Sequence, residues 1–236
     1  MTAYPLRADA QRNRERLLGA ALRAFSEHGA DVSLDAIARD AGVGSGTLYR
    51  HFPTREALIE AAYRNEVARL CDSVHELLHA MPPDRAMREW MGRYTGYVAA
   101  KHGMADALAA VIASGGDPYK ETPARLIAAV TTLANAGTTA GTIRADVPPL
   151  DILYSIIGVC RTPPADPGQR DRLLDLLMDS LRYRPGKARL APMARGAEHG
   201  DRLVLRVVTP EGGPQRGADP QLRDARADHG KRLTRG

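Results

Sequence analysis

Ser33-Leu-Asp-Ala-Ile-Ala-Arg-Asp-Ala-Gly-Val43, followed after Gly44-Ser45 by Gly46-Thr-Leu-Tyr-Arg-His-Phe-Pro-Thr-Arg-Glu-Ala-Leu58, is the stretch on which the fold turns. Ser33 suits an N-cap, and Asp35 in the first turn suits the helix dipole. Leu34, Ile37, Ala38 and Ala41 recur at helical spacing, and Gly42 breaks the pattern. A second short helix fits Ser45–His51, with Leu48 as its apolar anchor. Two short helices joined by a tight glycine turn make a helix-turn-helix. Ala38 is small where the second helix crosses it, and Gly42 can take the positive φ of the turn. Ile37, Val43 and Leu48 fill the space between the helices. Ser45, Thr47, Tyr49, Arg50 and His51 then point outward, side chains suited to base edges and phosphates. On spacing alone, a helical hairpin with a solvated face remains the alternative.

Outward from this unit the chain reads as helix after helix. Residues 9–28 form an amphipathic pattern through Leu18, Ala21, Leu22 and Phe25, stopped by Gly29. Thr54 caps a long segment, Arg55–Ala80. Pro82-Pro83 breaks it, and residues 84–102, 104–114 and 122–140 follow, the last with Thr122 read as N-cap ahead of Pro123. Leu150–Cys160 is uncharged after Asp151 and β-branched, yet has no partner strand, so it reads as a buried helix. A final helix spans 168–183. The expectation is all-α: about nine helices, a helix-turn-helix unit over 9–56, and a helical unit over 57–183. Residues 184–236, rich in Pro, Gly, Arg and Asp, read as a disordered basic tail.

The 236 residues carry a formal charge of +5, but it is unevenly placed. Residues 1–56 are net +1, residues 57–183 net −2, and residues 184–236 net +6. The basic balance therefore says little about the helix-turn-helix itself. Two cysteines, Cys71 and Cys160, are too few for a disulfide framework or a four-ligand zinc site. No apolar stretch approaches the roughly 20 residues that span a bilayer. The first residues lack a signal-peptide core, so a reducing cytoplasm is expected.

The quoted stretch, with Phe25 and Gly29 before it, resembles the N-terminal domain of TetR-type transcriptional regulators. The resemblance covers about residues 10–58, and Thr47-Leu-Tyr-Arg-His-Phe52 is its most specific part. It implies that Ser45–His51 enters the major groove. Thr47, Tyr49 and His51 would touch phosphates or bases, with Ser45, Gly46 and Arg50 setting sequence choice. Ser33 at the start of the supporting helix and Thr54 at the cap of the fourth are further DNA-binding candidates, and Arg55 replaces the family's usual lysine as a phosphate contact of different geometry. Arg7, Arg12, Arg14 and Arg16 offer further phosphate contacts, balanced against a solvated helix face. A palindromic double-stranded operator read by a homodimer follows.

The resemblance further implies a C-terminal small-molecule pocket and a dimer seam in the last two helices. Met87, Trp90, Met91, Tyr94, Tyr97, Met104 and Leu108 are the pocket candidates, suited to an adaptable apolar site or to plain core. His102 and Tyr119 are weaker polar candidates. Ile152, Ile156, Leu173, Leu177 and Leu181 are the seam candidates. The implied function is a ligand-responsive repressor with no catalytic residues, metal or cofactor. An effector-independent DNA-binding protein is the alternative, and a helical enzyme the remote one. Gly42-Val-Gly-Ser-Gly46 lacks the third glycine and preceding strand of a dinucleotide loop. It also fails as a hydrolase elbow. His75 and His79 lie four apart, more in keeping with an exposed face than a metal pair.

Overall fold

Proline and glycine set the boundaries of the helices. The computed structural model describes residues 3–182. The helices are α1 (Ala3–His28), α2 (Leu34–Asp40), α3 (Ser45–His51), α4 (Arg55–Ala80), α5 (Pro83–Gly103), α6 (Ala105–Ala113), α7 (Thr122–Thr139), α8 (Pro149–Arg161) and α9 (Gln169–Leu181). A 3₁₀ turn, Gly29–Asp31, joins α1 to α2. The described residues contain nine α-helices and no strand, with one antiparallel bridge between Ile143 and Arg182. The all-α reading of the sequence holds. The basic segment 184–236 lies outside the described residues.

Three local expectations differ from the structure. The first helix begins at Ala3, six residues earlier than the apolar pattern predicts. Pro5 does not prevent this, because the first-turn N–H groups have no intrahelical acceptor. Thr122 is not the cap of α7; Glu121 precedes the helix, and Thr122 is its buried first residue. Ser33 occupies the N-cap of α2 without a side-chain cap bond; its carbonyl accepts from the Ile37 N–H at 3.1 Å. Leu150–Cys160 is helical as expected, because Pro149 starts the helix and Ile152, Leu153, Ile156 and Ile157 are buried on one side.

α4 is the central helix, packing against α1, α5, α6 and α7. Its buried stripe, Leu58, Ile59, Ala62, Tyr63, Val67, Leu70, Val74 and Leu77, follows the helical period. α1 holds α2 and α4 together through Leu17, Leu18, Ala21 and Phe25, none more than 0% exposed. Each of the leucines and the phenylalanine contributes about 1.5–3 kcal/mol by leaving water. At its far end α1 meets the α5–α6 corner. There Gly103 sits so close to Ser26 that a Cβ would lie 2.8 Å from the Ser26 Cα. The Ser26 hydroxyl donates to the Ala100 carbonyl at 3.3 Å. α9 docks on α5 through Arg88, which reaches Asp175 at 2.6 Å and Asp171 at 3.2 Å.

Candidate DNA-binding interface and regulatory core

The turn between α2 and α3 is built as the residue types require. Gly42 has φ +66°, a region costly for any side chain. The Val43 N–H donates to Ala38 at 2.9 Å and the Gly42 N–H to Arg39 at 3.0 Å, closing the end of α2. Leu48 is fully buried beneath α3, beside Ile37 and Ala38, each 1% exposed. This underside fixes which side chains face out. Ser45, Gly46 and Arg50 are exposed, as is Tyr49, whose ring is 47% accessible, unusual for a large apolar side chain. Thr47 and His51 are half-buried at the edges of that face. The Thr47 N–H donates to the Gly44 carbonyl at 2.9 Å. The His51 ring lies 6.1 Å from that of buried Phe52.

Thr54 and Arg55 start α4 three residues after α3 ends. The Thr54 hydroxyl accepts from the Ala57 N–H at 3.1 Å, the expected cap. Arg55 is placed differently from an outward phosphate contact. Its guanidinium donates through Nη2 to the Val32 carbonyl and lies 5.7 Å from the centre of the Phe25 ring. Its Nη1 is buried without a hydrogen-bond partner among the described residues. Ser33 is exposed at the start of α2. Along α1, Arg12 pairs with Asp9, Arg16 with the Asn13 amide, and Arg23 with Asp40 at 2.7 Å. Arg14 lies 5.7 Å from the centre of the Phe52 ring. The Arg7 side chain is outside the described residues.

The pocket candidates come together as packed core. Met87, Trp90, Met91, Met104 and Leu108 are fully buried, and Tyr94 and Tyr97 are 3% exposed. Trp90 packs 5.7 Å from Tyr94, which lies 5.5 Å from Tyr97. The Trp90 indole N–H donates to the Leu70 carbonyl at 3.1 Å, satisfying its one donor. Sequence reasoning missed Tyr63 and the inward role of Thr122. The Tyr63 hydroxyl is 2.8 Å from that of Tyr97 and 3.4 Å from that of Thr122, joining α4, α5 and α7. Both fall on apolar-facing helical positions, so periodicity marks them only as core.

Tyr119 completes this cluster edge-on to Tyr63, at 5.2 Å. Its residue is 2% exposed, and its hydroxyl has no partner among the described residues. Lys101 lies 5.2 Å over the Tyr119 ring. Burial pushes Tyr63 up to about 12 and lowers Lys101 to about 8. Burial also raises Tyr94, Tyr97 and Tyr119 well above the usual phenol value. Four phenols therefore stay neutral hydrogen-bonding groups at physiological pH. His102 is exposed on the outer side of α5 and does not join them. His75 and His79 are exposed on α4.

The seam candidates divide by burial. Ile152, Ile156 and Leu181 are at most 2% exposed within the single chain. They serve the protomer's own core, because α8 packs on α7 and α9 rather than standing free. Leu173 and Leu177 are half-buried, and Leu176, which the sequence reading passed over, is 65% exposed. α9 thus carries two apolar faces. Leu174, Met178 and Leu181 point in and Leu177 packs partly against the same core, while Leu173 and Leu176, three residues apart, lie toward the other side.

With this geometry in hand, comparison with known proteins is specific. Residues 17–62 match the family of bacterial regulatory proteins, tetR family. Residues 82–183 match the transcriptional regulator SbtR-like C-terminal domain. The structure is similar to a TetR transcriptional regulator from Streptomyces coelicolor, 55% identical, with TM-score 0.68, over 72% of this chain and 98% of that one. It is also similar to a TetR transcription regulatory protein from Mycobacterium vanbaalenii, 37% identical, with TM-score 0.64, over 76% of this chain and 100% of that one. The HTH-type transcriptional regulator BetI of Escherichia coli is 38% identical over 76 residues, 32% of this chain and 39% of that one. The match thus spans about two fifths of that curated relative. No helix among the described residues is long and apolar enough to cross a membrane. A buried-underside helix-turn-helix, an α-helical body of matching order and close solved relatives lead to one conclusion: the chain belongs to the TetR family of bacterial transcriptional regulators and carries its helix-turn-helix DNA-binding domain.

Proposed function

We propose that the chain is a homodimeric, ligand-responsive repressor that releases a palindromic operator when a small molecule enters the core among α4, α5 and α7. It is divided into a DNA-reading unit over 9–56 and a regulatory unit over 57–183, works in the cytoplasm, and uses no catalytic residues. Ser45, Gly46, Thr47, Tyr49, Arg50 and His51 read the DNA, with Thr54 fixing the start of α4. Gly46 fits this reading: a Cβ there would meet nothing among the described residues within 4 Å, so the exposed surface leaves room for close approach of a duplex.

The observation that carries ligand response is α4. It starts three residues beyond α3 and carries Tyr63 two helical turns later, roughly 12 Å along the axis. One rigid helix therefore touches both the recognition unit and the phenol cluster. A molecule that accepts a bond from the unpartnered Tyr119 hydroxyl and displaces α4 shifts both recognition helices of a dimer. It does so only by its difference in affinity for the two states. Two-fold pairing is supported by the exposed Leu176 and half-buried Leu173 on the outer side of α9.

Footprinting on DNA upstream of the chain's own and neighbouring genes tests the DNA reading. The wild type protects a palindrome, and Tyr49→Ala with intact helical content loses protection. Unchanged protection by that variant overturns the role of α3. Titrating candidate metabolites against the footprinted duplex separates a switch from an effector-independent binder, because a switch must show some compound that weakens binding.

A further inference from the structure

Arg55 occupies a position from which a basic side chain could reach the DNA backbone, yet the structure turns it inward. Its Nη2 donates to the Val32 carbonyl, its Cζ lies 5.7 Å from the Phe25 ring centre, and its Nη1 is buried. Among the described residues no carboxylate pairs with it. Val32 is extended, with φ −63° and ψ 133°, and leads straight into Ser33 and α2. The bond therefore joins the first residue of α4 to the start of α2, 23 residues earlier in the chain. α2 in turn fixes α3 through Ile37, Ala38 and Leu48. Reaching a phosphate would cost this guanidinium its carbonyl partner and its aromatic seat.

We propose that Arg55 is a positioning residue for sequence-specific DNA binding, clamping α2 to α4 through Val32 and Phe25, and not a phosphate ligand. The planar fork matters here: it spans a ring face and a carbonyl together, which a lysine ammonium does with different reach. The proposal rests on α3 reading DNA, and it assigns Arg55 to the angle at which α3 is presented. Phosphate contacts supply affinity for any sequence, whereas base contacts need correct placement. A clamp and a phosphate ligand therefore fail in different ways.

The test uses the full-length protein and two labelled duplexes. One is enriched by the wild type from a random-sequence pool; the other is a scramble of it. Affinities are measured by anisotropy between about 50 and about 200 mM salt, a range over which phosphate contacts register strongly. For Arg55→Met the expected result is a loss of about tenfold on the enriched duplex, the scale of one mismatched base pair. Binding to the scramble, and the salt slope, stay as in the wild type. Equal losses on both duplexes, with a slope shallower by about 0.9 per phosphate released, overturn the proposal. So does wild-type affinity on the enriched duplex. If Arg55→Met fails to fold, Phe25→Leu decides, since it removes the seat and leaves the charge. Loss of discrimination supports the clamp; unchanged discrimination refutes it. A wild type that enriches no duplex refutes the DNA reading itself, a separate outcome.

Discussion

At residue scale, a few atoms decide whether the recognition unit holds its shape. Gly42 has φ +66°, so Gly42→Ala adds a strained side chain and is expected to cost about 1 kcal/mol or more. Thr54→Ala removes the cap of α4 and is expected to cost about 1 kcal/mol. Urea unfolding followed by circular dichroism measures both; a midpoint unchanged in either variant contradicts the local geometry. The phenols make a sharper contrast. Tyr63→Phe removes two hydroxyl contacts and is expected to lower stability by roughly 0.5–1.5 kcal/mol for each bond lost. Tyr119→Phe removes a hydroxyl with no partner, so stability stays level or rises. A drop for Tyr119→Phe as large as that for Tyr63→Phe shows that an ordered water satisfies Tyr119.

Between elements, the contacts that matter are those periodicity cannot see. Most helix boundaries were legible because proline and glycine punctuate them, the start of α1 being the exception, and α3 was placed residue for residue by the quoted motif. The outward face of α3 was legible too, since one buried leucine in a two-turn helix leaves only one side free. What faces what was not. Apolar residues at helical spacing mark Ile152 and Leu177 alike, yet one is buried by α8's own neighbours and the other only half so. Motif position gave Arg55 a role but not a direction, and that direction depends on Phe25 and Val32, far away in the chain. Gly103 carries no local signal at all. Its need for glycine arises from Ser26, and Gly103→Ala is expected to force α1 from the α5–α6 corner at about 1–3 kcal/mol. Unfolding midpoints of Gly103→Ala and Gly96→Ala compare a crowded with an open glycine on the same helix, since a Cβ at Gly96 meets nothing within 4 Å. Equal losses would falsify the close approach. On α9, Leu176→Glu leaves the inward face intact, so a dimer built on the outward face becomes monomeric in sedimentation while retaining its helical content.

The whole molecule has a built-in response to alkali. Tyr63, buried in the core, is pushed up to about 12, and Tyr94, Tyr97 and Tyr119 are also raised by burial. The Cys71 and Cys160 thiols are raised to about 11 by the same cause. Each of these acids is neutral when protonated, and each holds its proton more tightly folded than unfolded. The stability they contribute is therefore complete below the unfolded values, 9.0 for cysteine and 10.0 for tyrosine, and is lost as pH rises from there through the folded ones. Lys101 runs the other way. Burial lowers it from 10.5 to about 8, so its contribution is present above 10.5 and lost as pH falls through about 8. Thermal midpoints are accordingly expected to climb gently from pH 7 toward 9 and to fall steeply above 10. Lys101→Met should flatten the climb and leave the fall. Above pH 10 the four buried phenols can ionise only as the helices open, so their share of the tyrosinate absorbance, four of eight tyrosines, should appear together with the loss of helical signal. If the whole tyrosinate signal instead develops while helicity persists, water reaches the phenol cluster freely, and a core that closed to solvent cannot be what α4 carries beside the recognition helix.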